Sequence, residues 1–193
     1  MDSAEHESHA TETIELFWGR ASPAAATFYA RFRTSEPAGV RISGWIEGPD
    51  CPHAATLQAR FPLRDLGADP QPLAQATVTE PCFWSPRTPY VYRARVEVWR
   101  GERQIANAEQ LCAARPLGTV GRSFVLATKR WVLRGVCRET LESAELSDWL
   151  EAAAVACVPS PADDVCRLAT LQGLGIAAQV EGSAADLRAE LTR

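Results

Sequence analysis

The chain has little of what most site chemistries require. Its 193 residues include three histidines and one asparagine, Asn107. Six cysteines (Cys51, Cys82, Cys112, Cys137, Cys157 and Cys166) lie far apart with no C-x-x-C pair. With so few histidines, that spacing gives a zinc site no ligand set. The cysteines read as small buried thiols in a reducing cytosol, with a disulfide pair within the sandwich as the alternative. G-x-G-x-x-G, P-loop and G-x-S-x-G motifs are all missing, so no cofactor is expected. No stretch approaches the roughly 20 apolar residues that cross a bilayer. The polar, acidic start from Met1 to Thr13 has no apolar run of signal-peptide length, and its His6 and His9 read as part of a flexible tail, not as metal ligands. These features lead to the expectation of a cytoplasmic protein. Charge of one sign is also lacking. Twenty basic against 24 acidic residues give a net charge of −4, which carries no electrostatic footprint for nucleic acid or anionic membrane.

What is present is enough apolar content for a core. A composition of 46% hydrophobic and 23% charged residues suits one ordinary domain plus something smaller. From Thr13 to about Arg115 the pattern has period two. Phe28, Ala30 and Phe32 alternate with Tyr29, Arg31 and Arg33; Val40, Ile42, Gly44 and Ile46 continue the theme, then Leu57, Ala59 and Phe61. Tyr92, Ala94, Val96 and Val98 face away from Arg93, Arg95 and Glu97. Turn-forming residues punctuate these runs at Glu36 to Gly39, Gly48-Pro49, Gly67 to Pro72 and Arg100 to Glu102. The pattern predicts an antiparallel β-sandwich over residues 14–116.

After Pro116 the pattern changes. Arg122 to Leu126 and Trp131 to Val136 predict a hairpin feeding a buried strand. Ala144 to Ala154 predicts a helix with Leu146, Trp149, Leu150 and Ala153 on one stripe. Val155 to Val158 then reads as a buried strand. A second helix opens at Ser160-Pro161-Ala162-Asp163, with Ser160 as its cap, and closes at Gly173 or Gly175. Ile176 to Val180 follows as a third strand, and Ser183 to Leu191 as a last helix. Such alternation predicts parallel strands with right-handed crossovers. The fold class is therefore mainly β plus α/β: a flexible tail (1–13), a sandwich (14–116) and a hairpin with a truncated β/α segment of about three parallel strands (117–193).

Two stretches identify a resemblance. Pro81-Cys82-Phe83-Trp84-Ser85-Pro86-Arg87-Thr88-Pro89-Tyr90-Val91-Tyr92 is similar to the leucine-tryptophan-serine-proline and threonine-proline-x-leucine-tyrosine signature of family-2 glycoside hydrolases, the group of β-galactosidases, β-glucuronidases and β-mannosidases. Gly121-Arg122-Ser123-Phe124, followed by Leu133-Arg134-Gly135-Val136, resembles that family's glycine-x-arginine hairpin and the leucine-arginine-glycine-valine that begins its first barrel strand. Order and separation agree, and the likeness runs from about Ser22 to Gly182. It implies an immunoglobulin-like sandwich leading into the first strands of a barrel. Trp84 and Tyr92, with their large apolar area, are expected to fix a sandwich corner by packing.

The resemblance also implies what to look for at the strand ends. Retaining glycosidases use two carboxyl groups about 5 Å apart. In the family they follow the fourth and seventh barrel strands, the acid/base one directly after an asparagine. A full barrel takes at least ~200 residues, and Asn107 is followed by Ala108 in the sandwich, so no catalytic carboxylate is expected within these residues. After the first strand the family usually has asparagine-arginine-histidine lining the sugar pocket; here Cys137-Arg138-Glu139 retains the arginine alone. The family's arginine at the end of the second strand is replaced by Ala156-Cys157-Val158-Pro159, and Glu181 falls near a family carboxylate. Arg138, Glu139 and Glu181 are thus the candidate substrate contacts, with solvated loop charges as the other reading. Three parallel strands alone leave an open edge and an apolar face, so self-association or a protein partner covering the C-terminal sheet is expected, with carbohydrate a further candidate partner. The functional expectation is a non-catalytic binding or assembly module; the alternative is a segment of a glycosidase whose glutamates lie on another chain or a further C-terminal part. A third option is a sugar-binding sandwich using Trp18, Trp45 or Trp99.

Overall fold

The computed structural model describes residues 12–126, 128–152 and 155–179. The N-terminal tail before residue 12, Glu181 and the helix expected over Ser183 to Leu191 lie outside the described residues.

Period-two alternation becomes eight strands: β1 (Thr13–Ala21), β2 (Ala25–Arg33), β3 (Val40–Asp50), β4 (Ala59–Pro62), β5 (Arg64–Asp65), β6 (Leu73–Thr79), β7 (Val91–Arg100) and β8 (Arg103–Cys112). They pair antiparallel throughout, in two four-stranded sheets of order β1-β2-β6-β5 and β4-β3-β7-β8. Inward residues of the first sheet (Phe28, Ala30, Phe32, Ala74, Ala76, Val78) meet those of the second (Val40, Ile42, Ile46, Tyr92, Ala94, Val96, Val98) in one buried cluster. Each large side chain so buried contributes roughly 1.5–3 kcal/mol, which makes this face-to-face packing the main support of the domain. The expected sandwich is therefore found. Leu57, expected to open β4, is 93% exposed, and the strand begins at Ala59.

Outward residues carry cross-strand charge pairs. Arg93 pairs with Glu109 at 3.0 Å and Arg60 with Glu47 at 3.1 Å, while Glu15 holds both Arg31 and Arg33. The guanidinium of Arg60 also lies 4.3 Å from the ring centre of Trp45. Trp18 packs edge-on against Phe28 and Tyr92, and the Trp99 indole donates to the Ser43 hydroxyl at 3.1 Å. The three tryptophans weighed as sugar platforms thus all have protein neighbours.

Beyond the sandwich, β9 (Leu117–Val120), β10 (Ser123–Leu126) and β11 (Lys129–Arg130) form a short meander of order β11-β10-β9. Gly121, at φ +59°, supplies the left-handed residue its first turn needs. The expected hairpin is found, with β10 pairing β11 as well as β9, but the strand it was to feed is corrected: Trp131 to Val136 is not one buried strand. Only β12 (Gly135–Cys137) is extended and paired, and Val132, Leu133 and Val136 are 60%, 37% and 54% exposed. The reason is position, because β12 is an edge strand among the described residues.

A 3-10 turn (Ser143–Glu145) leads into α1 (Leu146–Glu151), followed by β13 (Val155–Pro159), α2 (Asp163–Gln172) and β14 (Gly175–Gln179). β12, β13 and β14 are parallel, in that order, as the alternation predicted. The helices pack Leu146, Val165 and Ala169 onto Ala156 and Val158, forming a second, smaller core. α1 is shorter than expected, since its first turn is spent in 3-10 geometry. The cap of α2 is also corrected: its N-cap is Ala162, without a side-chain hydrogen bond, and Ser160 sits two residues earlier at φ +42°. Gly173 closes α2 at φ +90°, as anticipated.

Candidate functional site

Two places combine unusual chemistry with position: the joint between the two cores and the C-terminal end of the parallel sheet.

The joint is built from the Trp-Ser-Pro turn. Trp84 is 3% exposed, and its indole N–H donates to the Thr170 carbonyl at 2.8 Å. That carbonyl belongs to the last turn of α2, where helix carbonyls lack an intrahelical partner. The Arg115 guanidinium stacks 5.0 Å from the Trp84 ring centre and donates to Thr170 Oγ1 at 2.7 Å; burial lowers its pKa. Gly173 passes so close that a Cβ there would run into the Pro86 carbonyl. On the sandwich side, the Tyr92 hydroxyl accepts from Cys82 N at 2.8 Å and donates to Cys82 O at 3.3 Å. The turn therefore fixes a corner, as its aromatic content suggested, and also fixes where the parallel sheet sits.

At the end of that sheet an open cleft of about 350 Å³ is lined by Arg138, Glu139, Thr140, Glu142 and Glu145. Arg138 is positioned by its backbone N–H, which donates to the Cys157 carbonyl at 2.9 Å as the strand ladder ends. Its guanidinium pairs with Glu145 at 3.0 Å and lies 6.0 Å from the Trp149 ring centre. Glu142 N donates to Glu145 Oε2 at 3.4 Å, which ties the 3-10 turn to the same ion pair. Of the three sequence candidates, Arg138 and Glu139 come together in this cleft, and Glu181 lies outside the described residues. Glu142 and Glu145 were missed by sequence reasoning. Their i, i+3 spacing at a helix start was the available signal.

The strand ends decide what chemistry is within reach. After β12 come Arg138 and Glu139, whereas β13 ends at Val158-Pro159 without a carboxylate or a cation; β14 ends at Ala178-Gln179, and Glu181 beyond it lies outside the described residues. Among the described residues, no group of three or more His, Cys, Asp or Glu side chains could hold a metal ion. No described helix is long and apolar enough to cross a membrane.

Comparison with known proteins agrees with this architecture. No curated protein matches the chain in sequence. Residues 21–112 match the family model "Glycosyl hydrolases family 2". Among solved structures, a β-glucuronidase from Bifidobacterium dentium superposes with a TM-score of 0.61 at 14% identity, over 86% of this chain and 30% of its own. A β-glucuronidase from Bacteroides uniformis gives 0.57 at 18% identity, over 90% of this chain and 24% of its own. A glycosyl hydrolase family 2 member from Bacteroides cellulosilyticus gives 0.60 at 14% identity, over 84% and 24%. The chain spans about a quarter to a third of the length of these structures. The sandwich sheets and the matched residues agree: residues 21–112 of this chain are similar to a domain of glycosyl hydrolases family 2.

Proposed function

We propose that the chain is a non-catalytic binding or assembly module of the family-2 type, whose sandwich presents a short parallel sheet to a further polypeptide. The observation that carries this reading is the exposure of apolar side chains on and just before the edge strand: Val132, Leu133 and Val136, with Leu117, Val120 and Phe124 on the preceding meander, are each exposed. An uncovered apolar edge strand invites pairing. A second copy of the chain or another protein would cover it, and the cleft beside β12 would offer Arg138 and Glu139 to a polar ligand such as a sugar. A cytoplasmic setting suits the exposed Cys137 thiol, which reducing conditions protect.

Two features of the cleft argue against turnover by these residues. Arg138 is already paired with Glu145, and the end of β13 offers no carboxylate toward the facing pair that two-acid hydrolysis requires. The purified chain is therefore expected to leave chromogenic galactosides, glucuronides and mannosides unhydrolysed, and light scattering at tens of micromolar is expected to give more than the monomer mass. Turnover above background would refute the non-catalytic role; a clean monomer would count against self-association.

A second reading is favoured by the order β12-β13-β14, in which each parallel strand neighbours the next. In this reading the chain is a segment of a glycosidase acting on O-glycosyl bonds, with the glutamates on another chain or a further C-terminal part. Hydrolysis that appears only when such a part is supplied would select it.

A further inference from the structure

Cys137 and Cys157 are direct partners in the parallel ladder, in register on β12 and β13. Neighbouring strands lie about 4.7–4.9 Å apart, within the roughly 4.4–6.8 Å between Cα atoms that a disulfide spans. Registered residues project to the same face. Ala156 and Val158 lie in the core beneath the helices, so alternation turns Cys157, and Cys137 with it, to the opposite face. Their next neighbour on that row is the small residue Ala177. Cys137 is exposed and Cys157 half-buried, both as thiols. The two side chains are hydrogen-bonded to each other, and this contact is the leading cause of a raised Cys157 pKa. Cys137, the more exposed of the two, is the sulfur that meets a reagent first.

We propose that Cys137 and Cys157 form an oxidisable dithiol site at the C-terminal end of the parallel sheet, closed to a disulfide by exchange with a small-molecule disulfide. The Cys137 thiolate attacks one sulfur of the reagent, whose S–S bond breaks and releases one small thiolate; that thiolate takes up the proton Cys137 has lost. Cys157 then gives its proton to solvent and attacks the Cys137 sulfur of the mixed disulfide, displacing the second small thiolate, which is protonated in turn. The protein loses two electrons and two protons, and the reagent ends as two thiols. Closure ties the free edge strand covalently to its neighbour, so the site would stiffen the edge that β12 exposes.

Trypsin provides a direct test, because it cuts after Arg134, Arg138 and Arg167 and so places the two cysteines in separate peptides, 135–138 and 139–167. The full chain is equilibrated with mixtures of oxidised and reduced glutathione, quenched in acid, alkylated, digested and analysed by mass spectrometry. The expected result is a disulfide joining 135–138 to 139–167 that persists in Cys166→Ala and disappears in Cys157→Ala. The folded chain should also reach half-closure at about a tenth or less of the oxidant ratio needed by the same chain in urea, since proximity in the sheet favours ring closure. No joined peptide under excess oxidised glutathione, a link that requires Cys166, or equal ratios for folded and unfolded chain would each overturn the proposal.

Discussion

Tyr92 concentrates the residue-scale chemistry of the sandwich. Its ring is 1% exposed, Trp18 meets it edge-on at 5.4 Å between centroids, and its hydroxyl is closed into two hydrogen bonds with the Cys82 backbone. Burial pushes its pKa up from 10.0 to about 12, and burial likewise pushes up the thiol of Cys112, its partner in register on β8, from 9.0 to about 12. The sign follows from proton counting. Between these unfolded and folded values the unfolded chain has released protons that the folded chain still holds, so raising the pH favours unfolding across that window. The urea midpoint should be steady below pH 9.0 and fall as pH rises from there to about 12. Tyr92→Phe should flatten the part of the fall above pH 10.0, while costing about 0.5–1.5 kcal/mol at neutral pH for the lost hydrogen bonds. A wild-type midpoint unchanged up to pH 12 would rule out this account.

At the scale of elements, Gly173 shows how one backbone angle positions a helix. It ends α2 in the left-handed region and lies against the Pro86 carbonyl, so both conformation and space exclude a side chain. Gly173→Ala should destabilise by more than about 1 kcal/mol in urea denaturation; a neutral effect would mean that the Pro86 turn yields easily. The same elements show which parts of the fold were legible in the sequence. β2 and β7 could be read directly because large apolar residues alternate with arginines. β6 was missed, since its buried row begins with Ala74 and Ala76, which carry little apolar signal. β8 was missed because it is an edge strand with no fully buried residue, and it is shifted in register opposite Val98 and Trp99. At the site, Arg138 was legible from the sequence around the first parallel strand. Glu142 and Glu145 were not, because they cap and end a single 3-10 turn, too short to show an apolar period.

At the scale of the whole molecule, the two cores are separate clusters, and the Trp84 turn is a principal bridge between them. The bridge has polar and apolar parts. The Trp84 indole supplies a donor to an otherwise unpaired carbonyl of α2, and Arg115 covers the ring while holding the side chain of the same threonine. Trp84→Phe keeps most of the ring area and removes the donor, leaving the Thr170 carbonyl short of a partner at a cost of about 1–3 kcal/mol. Because Thr170 lies on α2, which packs in the smaller core, that cost should fall on the tail alone. Hydrogen exchange should speed up in α2 and β14 while β2, β3 and β7 keep their protection, since local opening reports each cooperative unit separately. Uniform acceleration across both cores would show that sandwich and sheet unfold as one unit, and unchanged exchange would show that the apolar contact of the ring, and not its hydrogen bond, holds the joint.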